Sequence, residues 1–568
     1  MSQEPFFWKK HWDEGVKDLN PQLWNTTYPQ AIRDTFETLP NNLALEYLGV
    51  EITFGKLDRY SNQFAHMLIE EGFQTGDRIG INLPNIPQFI IALLGALKAG
   101  CVVTGVSFLL SEDQLLYQLR DSEAKGIVTW DVIFEEKLMN IAPQLPNLQL
   151  YVCASIGGFL PKVKQVLGKL LGKIPKGKVV PLSGKTVFNF MDVIKTERYS
   201  TSLPENRLTP DDVAYVLYTG GTTGPPKGAM LTHRNIMSNI FMVMKWLNWE
   251  KGSGRALSGF PFFHIAGLFF CENCIILGWP QLLVPNPRDT DHICKLMEKY
   301  QPTCVVNVPS LFQMLIKNPK FKELDHSKLD TCISSASPFP VESQKELESI
   351  VGQGKLLEVY GMTETSPLIT MNPYRGVKKL GTIGLPLMNT EIKLVDPGTG
   401  DKVKLGNAGE ICVKGPQVMK EYWNKPEETK KTIDENGYIH TGDVAIMDED
   451  GYLRIVDRTK DMIIVGGFKV FSSKLEDTLT EHPAINMIAT IGVPNPDRPG
   501  SELIKAYITI SPDYKFDGDN DRLTEEIIKW TKEKVSPYEV PKIIEIREAL
   551  PLTTVGKVDK KLLRQEIQ

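Results

Sequence analysis

Residues 218–230 read YTGGTTGPPKGAM, a run of glycines and threonines from Tyr218 to Met230 that carries one lysine. Four glycines, Gly220, Gly221, Gly224 and Gly228, admit positive φ and let bare backbone N–H groups converge on an anion. Thr219, Thr222 and Thr223 add hydroxyl donors, and Lys227 adds a compact positive charge on a flexible stem. The pattern predicts a loop wrapped around nucleotide phosphates. It is not the loop of consensus G-x-x-x-x-G-K-[ST], because Gly228 follows Lys227 where a magnesium-binding hydroxyl would be needed. Gly184-Lys185-Thr186 ends like that consensus, but its first glycine would fall at Val179, which excludes it.

Outward from this loop, short β-branched runs alternate with helical patterns over the first 400 or so residues. Asp77–Ile81 followed by Pro87–Lys98 is one strand-to-helix unit, and Thr303–Val308 followed by Leu311–Lys317 is another. That alternation predicts an α/β fold with mainly parallel sheets. The apolar run Phe89–Leu110 is long enough to suggest a membrane span, but Lys98 interrupts it among Gly95, Gly100 and Gly105. It reads as a buried helix ending near Gly100, then a strand from Cys101 to Val106. Near the C-terminus the texture changes. Tyr452–Val456 predicts a strand, Asp457–Asp461 a charged link, and Met462–Val465 a new strand, with a small α+β domain beyond.

A chain of 568 residues exceeds what one hydrophobic core supports, so two or more domains are expected. Apolar residues at 42% and charged residues at 23% are ordinary for a globular protein. A net charge of −5 gives no support for nucleic-acid binding. The eight cysteines show no disulfide spacing, which predicts a reducing cytoplasm. Cys271 and Cys274 form a lone C-x-x-C with no second pair at zinc-site spacing, and read as core packing. The start, MSQEPFFWKKHWDE, lacks the apolar region of a secretory signal.

Further motifs occur in order. They are PFFH (Pro261–His264), YGMTE (Tyr360–Glu364), GE (Gly409-Glu410), HTGD (His440–Asp443), DRTKDMIIVGG (Asp457–Gly467) and PLTTVGK (Pro551–Lys557). Together with the glycine-threonine loop, this series resembles the adenylate-forming enzymes: acyl- and aryl-CoA synthetases, luciferases and the adenylation domains of peptide synthetases. The flanks Leu231–Asn235, Asn286–Asp289 and Cys412–Met419 resemble bacterial long-chain fatty-acid–CoA ligases in particular.

The resemblance implies a large multi-sheet N-terminal domain over residues 1–456, a hinge at 457–460 with Lys460 at the family's hinge position, and a mobile α+β domain at 461–568. It implies ATP, Mg²⁺ and coenzyme A as co-reactants. The loop from Thr219 through Gly220, Gly221, Thr222, Thr223 and Gly224 to Lys227 would hold the β- and γ-phosphates. Glu364 would ligate magnesium, Thr363 would donate to the α-phosphate, and Tyr360 would lie beside adenine. Asp443 and Arg458 would meet the ribose. Lys557 would bridge the carboxylate and the α-phosphate in the first half-reaction, and Lys469 belongs to the thioester half-reaction. A rotation of the small domain would exchange the two.

The resemblance also bears on the acid. Peptide-synthetase domains need an acidic side chain near PFFH to pair an amino group, and Gly259–Cys271 has none, so an amino acid is not the expected substrate. Acetate-specific relatives carry tryptophan where this chain has Gly361, which implies an open acyl pocket. His264 is the expected gate beside the carboxylate. Two departures point the other way. Ser335-Ala336-Ser337-Pro338 stands where paired glycines are usual, and SFLLSED follows Val106, so extra volume at Ser335 and Ala336 is expected to reshape the pocket. A third departure, Ser473-Lys474-Leu475-Glu476, alters the family's Pro-x-Glu. The expected activity is AMP-forming ligation of a hydrophobic carboxylic acid to CoA, with a fatty acid as the first candidate. A compact alicyclic, aromatic or medium-chain acid is the second, possible in the ATP-forming direction. A membrane-associated nucleotide-binding protein without turnover is the reading from another class.

One segment stands apart from this chemistry. From Val163, apolar residues fall at 163, 166, 167, 170, 171 and 174, flanked by Lys162, Lys164, Lys169 and Lys173, with Pro175 as a stop. The stripe predicts an amphipathic helix over 162–174. Peripheral contact with the inner face of an anionic membrane and ordinary packing on its own domain are both open readings. The oligomeric state is not legible in the sequence.

Overall fold

A computed structural model describes residues 6–170, 172, 174–219, 225–466, 468–499, 501–552 and 558–567, with Lys169 described by its backbone alone. Two large sheets carry the N-terminal part. One has nine strands; its six central strands, among them Cys304–Asn307, Thr331–Ser334 and Leu356–Gly361, run parallel. The other has eight strands, parallel from Val213–Thr219 through Val102–Gly105 and Arg78–Asn82 out to Thr186–Asn189. Mainly parallel sheets alternating with helices are the α/β fold that the sequence leads one to expect.

The apolar run with Lys98 shows how that fold buries itself. Pro87–Lys98 is a helix with proline in its first turn and every residue buried. Gly95 lets it cross the helix Phe54–Glu70, since a Cβ there would sit 2.8 Å from the Phe64 ring and the Ser61 carbonyl. Lys98 is buried because Asp58, Ser61 and Asn62 of that partner helix take its ammonium at 2.6, 2.7 and 2.8 Å. Burial still pushes its pKa down to about 8. Val102–Gly105 follows as a strand, as the sequence predicts.

A third, antiparallel sheet of four strands (Glu391–Val395, Ala408–Lys414, Ile439–Met447, Leu453–Arg458) completes this part. The smaller part pairs Ile463–Val465 with Phe468–Val470. It also packs the sheet Ile485–Pro494, Glu502–Ile510 and Ile543–Ile546 against the helices Ser472–Thr480 and Asn520–Lys532. Among the described residues, the apolar clusters of the first part reach no further than Ile455, and those of the second begin at Ile463. The link expected at 457–460 is shorter than its charge suggests. The strand runs to Arg458 in register with Asp443, and only Thr459–Asp461 form the turn. Asp457 is buried because it accepts from the hydroxyls of Ser472 and Ser473, each at 3.1 Å, and so ties that strand to the smaller part.

No helix among the described residues is long and apolar enough to cross a membrane. All eight cysteines are free and buried, Cys271 and Cys274 inside the helix Ile265–Leu277.

Candidate active site

The glycine-threonine stretch joins two antiparallel strands, Val213–Thr219 and Lys227–Thr232, with Thr219 paired to Lys227. Gly228 is required there, since a Cβ would lie 2.6 Å from Val216 Cγ1. Gly220, Gly221, Thr222, Thr223 and Gly224 fall outside the described residues. The Lys227 ammonium sits 2.8 Å from Glu428 Oε2 and 4.9 Å above the Tyr422 ring. The lysine holds the Glu428 carboxyl down at about 2. Tyr422 turns its hydroxyl the other way and donates to Glu364 Oε1 at 2.7 Å. Glu364 is buried in the one-turn 3₁₀ helix Thr363–Thr365. Burial raises its pKa, opposed by Tyr422, Lys227 and Thr219. Lys227, Glu364, Tyr422 and Glu428 are therefore one cluster with two carboxylates, one ammonium and one phenol.

Three residues before Thr363, the strand Leu356–Gly361 carries Tyr360 near its end. Its hydroxyl donates to Asp443 Oδ2 at 2.7 Å, and Asp443 Oδ1 lies 3.1 Å from Arg458 Nε. Burial, then the Asp443 charge, pushes the Tyr360 hydroxyl well above its ordinary range. Asp443 is placed by what precedes it. Gly442 has φ of 74° and donates its N–H to Glu410 Oε1 at 2.9 Å, while the other Glu410 oxygen holds His440 Nδ1 at 3.0 Å. Cys412 Sγ is 3.4 Å from that nitrogen. Glu410 and His440 stand in the motifs GE and HTGD, but their pairing across 30 positions is visible only in the fold.

Lys460 lies in the turn beside this group. Burial lowers its pKa to about 8, with Asp461 opposing and Arg458 assisting. Lys469 is elsewhere: its ammonium is 2.5 Å from Asp396 Oδ2, at the end of the strand Glu391–Val395. That contact joins the smaller part to the larger and holds the Asp396 carboxyl below its usual range. Lys557 lies outside the described residues, between Leu552 and Val558, which pair as an antiparallel bridge.

His264 caps the helix Ile265–Leu277, accepting from the Ala266 N–H at 3.2 Å, and is exposed. Its loop can press on the strand Val102–Gly105 because Gly105 lacks a side chain; a Cβ would meet the Phe263 carbonyl at 2.4 Å.

Two expectations about the pocket are corrected. Gly361 does not face open space, because a Cβ there would lie 2.0 Å from the Pro367 carbonyl oxygen. The glycine admits backbone, and Gly361→Ala should cost about 1–3 kcal/mol of stability in denaturant unfolding rather than trim a tunnel. Ala336 does not add volume deep inside. It is exposed, at φ of 71°, after the strand Thr331–Ser334, and Ser335 beside it is half-buried. A left-handed alanine carries strain, so Ala336→Gly should stabilise by about 0.5–1 kcal/mol in the same assay; a loss would contradict this.

The site is thus a hairpin that carries Lys227, the buried Glu364 linked to it through Tyr422, and the Tyr360–Asp443–Arg458 group where the nine-stranded sheet meets the four-stranded one. Residues 32–423 match the family model described as AMP-binding enzyme, and residues 474–557 match its C-terminal domain. The chain belongs to the AMP-binding enzyme family. It is 36% identical to the long-chain-fatty-acid–CoA ligase of Bacillus subtilis (strain 168) across 100% of this chain and 98% of that protein. It is 35% identical to the ligase of the same name from Escherichia coli O157:H7, across 97% and 96%. The ATP-bound crystal structure of MatB from Rhodopseudomonas palustris superposes with a TM-score of 0.79 at 27% identity, covering 95% of this chain and 99% of that one. Membership of this family of adenylate-forming ligases implies the use of ATP and CoA.

Proposed function

We propose that this protein is an AMP-forming acid–CoA ligase acting on a fatty acid in a reducing cytoplasm. The observation that carries the reading is that one short segment serves both groups: Tyr360, at the C-terminal end of the strand Leu356–Gly361, joins Asp443 and Arg458, and Glu364, in the 3₁₀ turn just after it, joins the Lys227 cluster through Tyr422. The first can take the β- and γ-phosphates and the second the nucleoside, which leaves the α-phosphate between them, beside Thr363.

In the first half-reaction a carboxylate oxygen attacks the α-phosphorus and pyrophosphate leaves, so two anions must meet. Lys227, released from Glu428, would face the β- and γ-phosphates, with Thr219, Gly220, Gly221, Thr222, Thr223 and Gly224 supplying donors around them. Asp443 would accept from the ribose hydroxyls, with Arg458 alongside and Tyr360 against the base. Glu364 suits magnesium, since it is an oxygen donor set beside the phosphate-side lysine. A magnesium ion there would supply charge neutralisation of the phosphates. Lys557 would lie between carboxylate and α-phosphate, and His264 beside the carboxylate.

In the second half-reaction the CoA sulfur attacks the acyl carbonyl, its proton goes to solvent, and AMP leaves. We assign Lys469 to this step. Its tie to Asp396 must break for it to approach, which fits a rotation of the smaller part about Lys460.

The test is product analysis with acid, ATP, Mg²⁺ and CoA. AMP, pyrophosphate and acyl-CoA are expected, with one carboxylate oxygen transferred to AMP. Formation of ADP and phosphate would refute the adenylate route. Tyr422→Phe gives a finer check, since it removes the donor that steadies the Glu364 carboxylate. The acid limb of the adenylation pH profile should then move to higher pH, and an unmoved limb would separate Glu364 from the chemistry.

A further inference from the structure

The helix Lys162–Leu170 lies in the crossover between the strands Leu150–Ala154 and Thr186–Asn189. Among the described residues, its anchoring contacts lie on one side. Gln165 Nε2 donates to the Leu160 carbonyl at 2.8 Å, and Gly168 is where Ile174 tucks beneath, a Cβ there falling 2.3 Å from Ile174 Cδ1. The opposite side carries Val163, Val166, Leu167 and Leu170, exposed by 71, 57, 52 and 79%. At 3.6 residues per turn these four share one stripe, and Lys162 and Lys164 fall on its two flanks. Lys164 reaches the Leu48 carbonyl at 3.0 Å and keeps its stem along the edge.

The surrounding sequence is one-sided in charge. No Asp or Glu occurs between Glu136 and Asp192, while eight lysines do. A second copy of the chain seated on this face would set lysines against lysines. A surface with dispersed negative charge over an apolar interior complements both features. Nine residues span only about 13 Å along the axis, so the helix lies in such a surface rather than across it.

We propose that the helix Lys162–Leu170 docks the protein on an anionic lipid bilayer, with Val163, Val166, Leu167 and Leu170 inserted among the acyl chains. The docked face is linked to the acid side of the site. The loop after Ala154 meets the helix Pro87–Lys98 through Gln88 Nε2 and the Ser155 carbonyl at 2.7 Å. That helix meets PFFH through Phe89 and Phe262, whose rings are 5.5 Å apart. The docking does not rest on the fatty-acid reading.

The test is co-sedimentation of the full chain with vesicles of phosphatidylcholine alone and of phosphatidylcholine with phosphatidylglycerol, at low and high salt. The wild type should sediment with the anionic vesicles only, and less at high salt. Val166→Asp with Leu170→Asp should lower the bound fraction at least tenfold. Changing Lys162, Lys164, Lys169 and Lys173 to Gln should weaken binding by about fivefold for each charge removed. Lys162, Lys164, Val166 and Leu170 are exposed, so far-UV circular dichroism and the thermal midpoint should match the wild type. Absence of wild-type binding to anionic vesicles, or undiminished binding by the aspartate variant, overturns the proposal. A wild-type dimer that the aspartate variant turns into a monomer without lipid would also overturn it, in favour of a second copy.

Discussion

Lys557→Ala is expected to slow acyl-adenylate formation by about 10²–10³-fold while leaving thioester formation from supplied acyl-adenylate within a few-fold of wild type. The asymmetry follows from charge. Only the first half-reaction brings a carboxylate against a triphosphate, and a positive group placed between them stabilises the transition state far more than the separated reactants. The second half-reaction has a neutral thioester-forming carbonyl and gains little from the same ammonium. Single-turnover measurement of each half-reaction separates the cases. Equal losses in both would remove Lys557 from the adenylation step.

Lys460→Pro is expected to leave adenylation within about tenfold and to reduce transfer to CoA by at least about 10²-fold. Asp461 donates its N–H to the Arg458 carbonyl at 3.0 Å, so Lys460 is the third residue of that turn. Among the described hydrogen bonds the Lys460 N–H donates none, so proline removes no bond there. It fixes φ and restricts Thr459 before it, which takes away the freedom a rotation needs. Accumulation of acyl-adenylate with CoA present would show the arrest, and near-normal overall turnover would contradict a two-orientation cycle. Asp396 offers the complementary view, since its ion pair with Lys469 is one of the contacts that the proposed rotation would exchange.

Much of this architecture was legible in the sequence, for identifiable reasons. The hairpin of Val213–Thr219 and Lys227–Thr232 is legible because glycines and threonines concentrate between two runs of strand-forming residues. The buried helix Pro87–Lys98 announces itself because apolar continuity, an opening proline and closing glycines coincide. Pairings across long sequence separations were not legible. Lys227 meets Glu428 201 positions away, and Lys469 meets Asp396 across 73. No local pattern marks either carboxylate. Gly361 shows the other limit. A glycine in sequence leaves room, but whether side chain, ligand or backbone fills the room depends on the fold, and here the Pro367 carbonyl fills it. Ala336 was misread for a related reason, because its volume was visible and its outward, left-handed placement was not. The link to the smaller part was read as a charged connector, yet Asp457 is buried by two serine hydroxyls that follow the turn.

The most direct test of the central claim is acid-dependent exchange of labelled pyrophosphate into ATP, without CoA, across saturated acids from C2 to C18 with benzoate and cyclohexanecarboxylate. The account predicts exchange in the absence of CoA, with kcat/KM rising with chain length toward C12–C18, since each buried methylene contributes about 0.8 kcal/mol. Exchange confined to the compact rings, or no exchange with any acid, would contradict it.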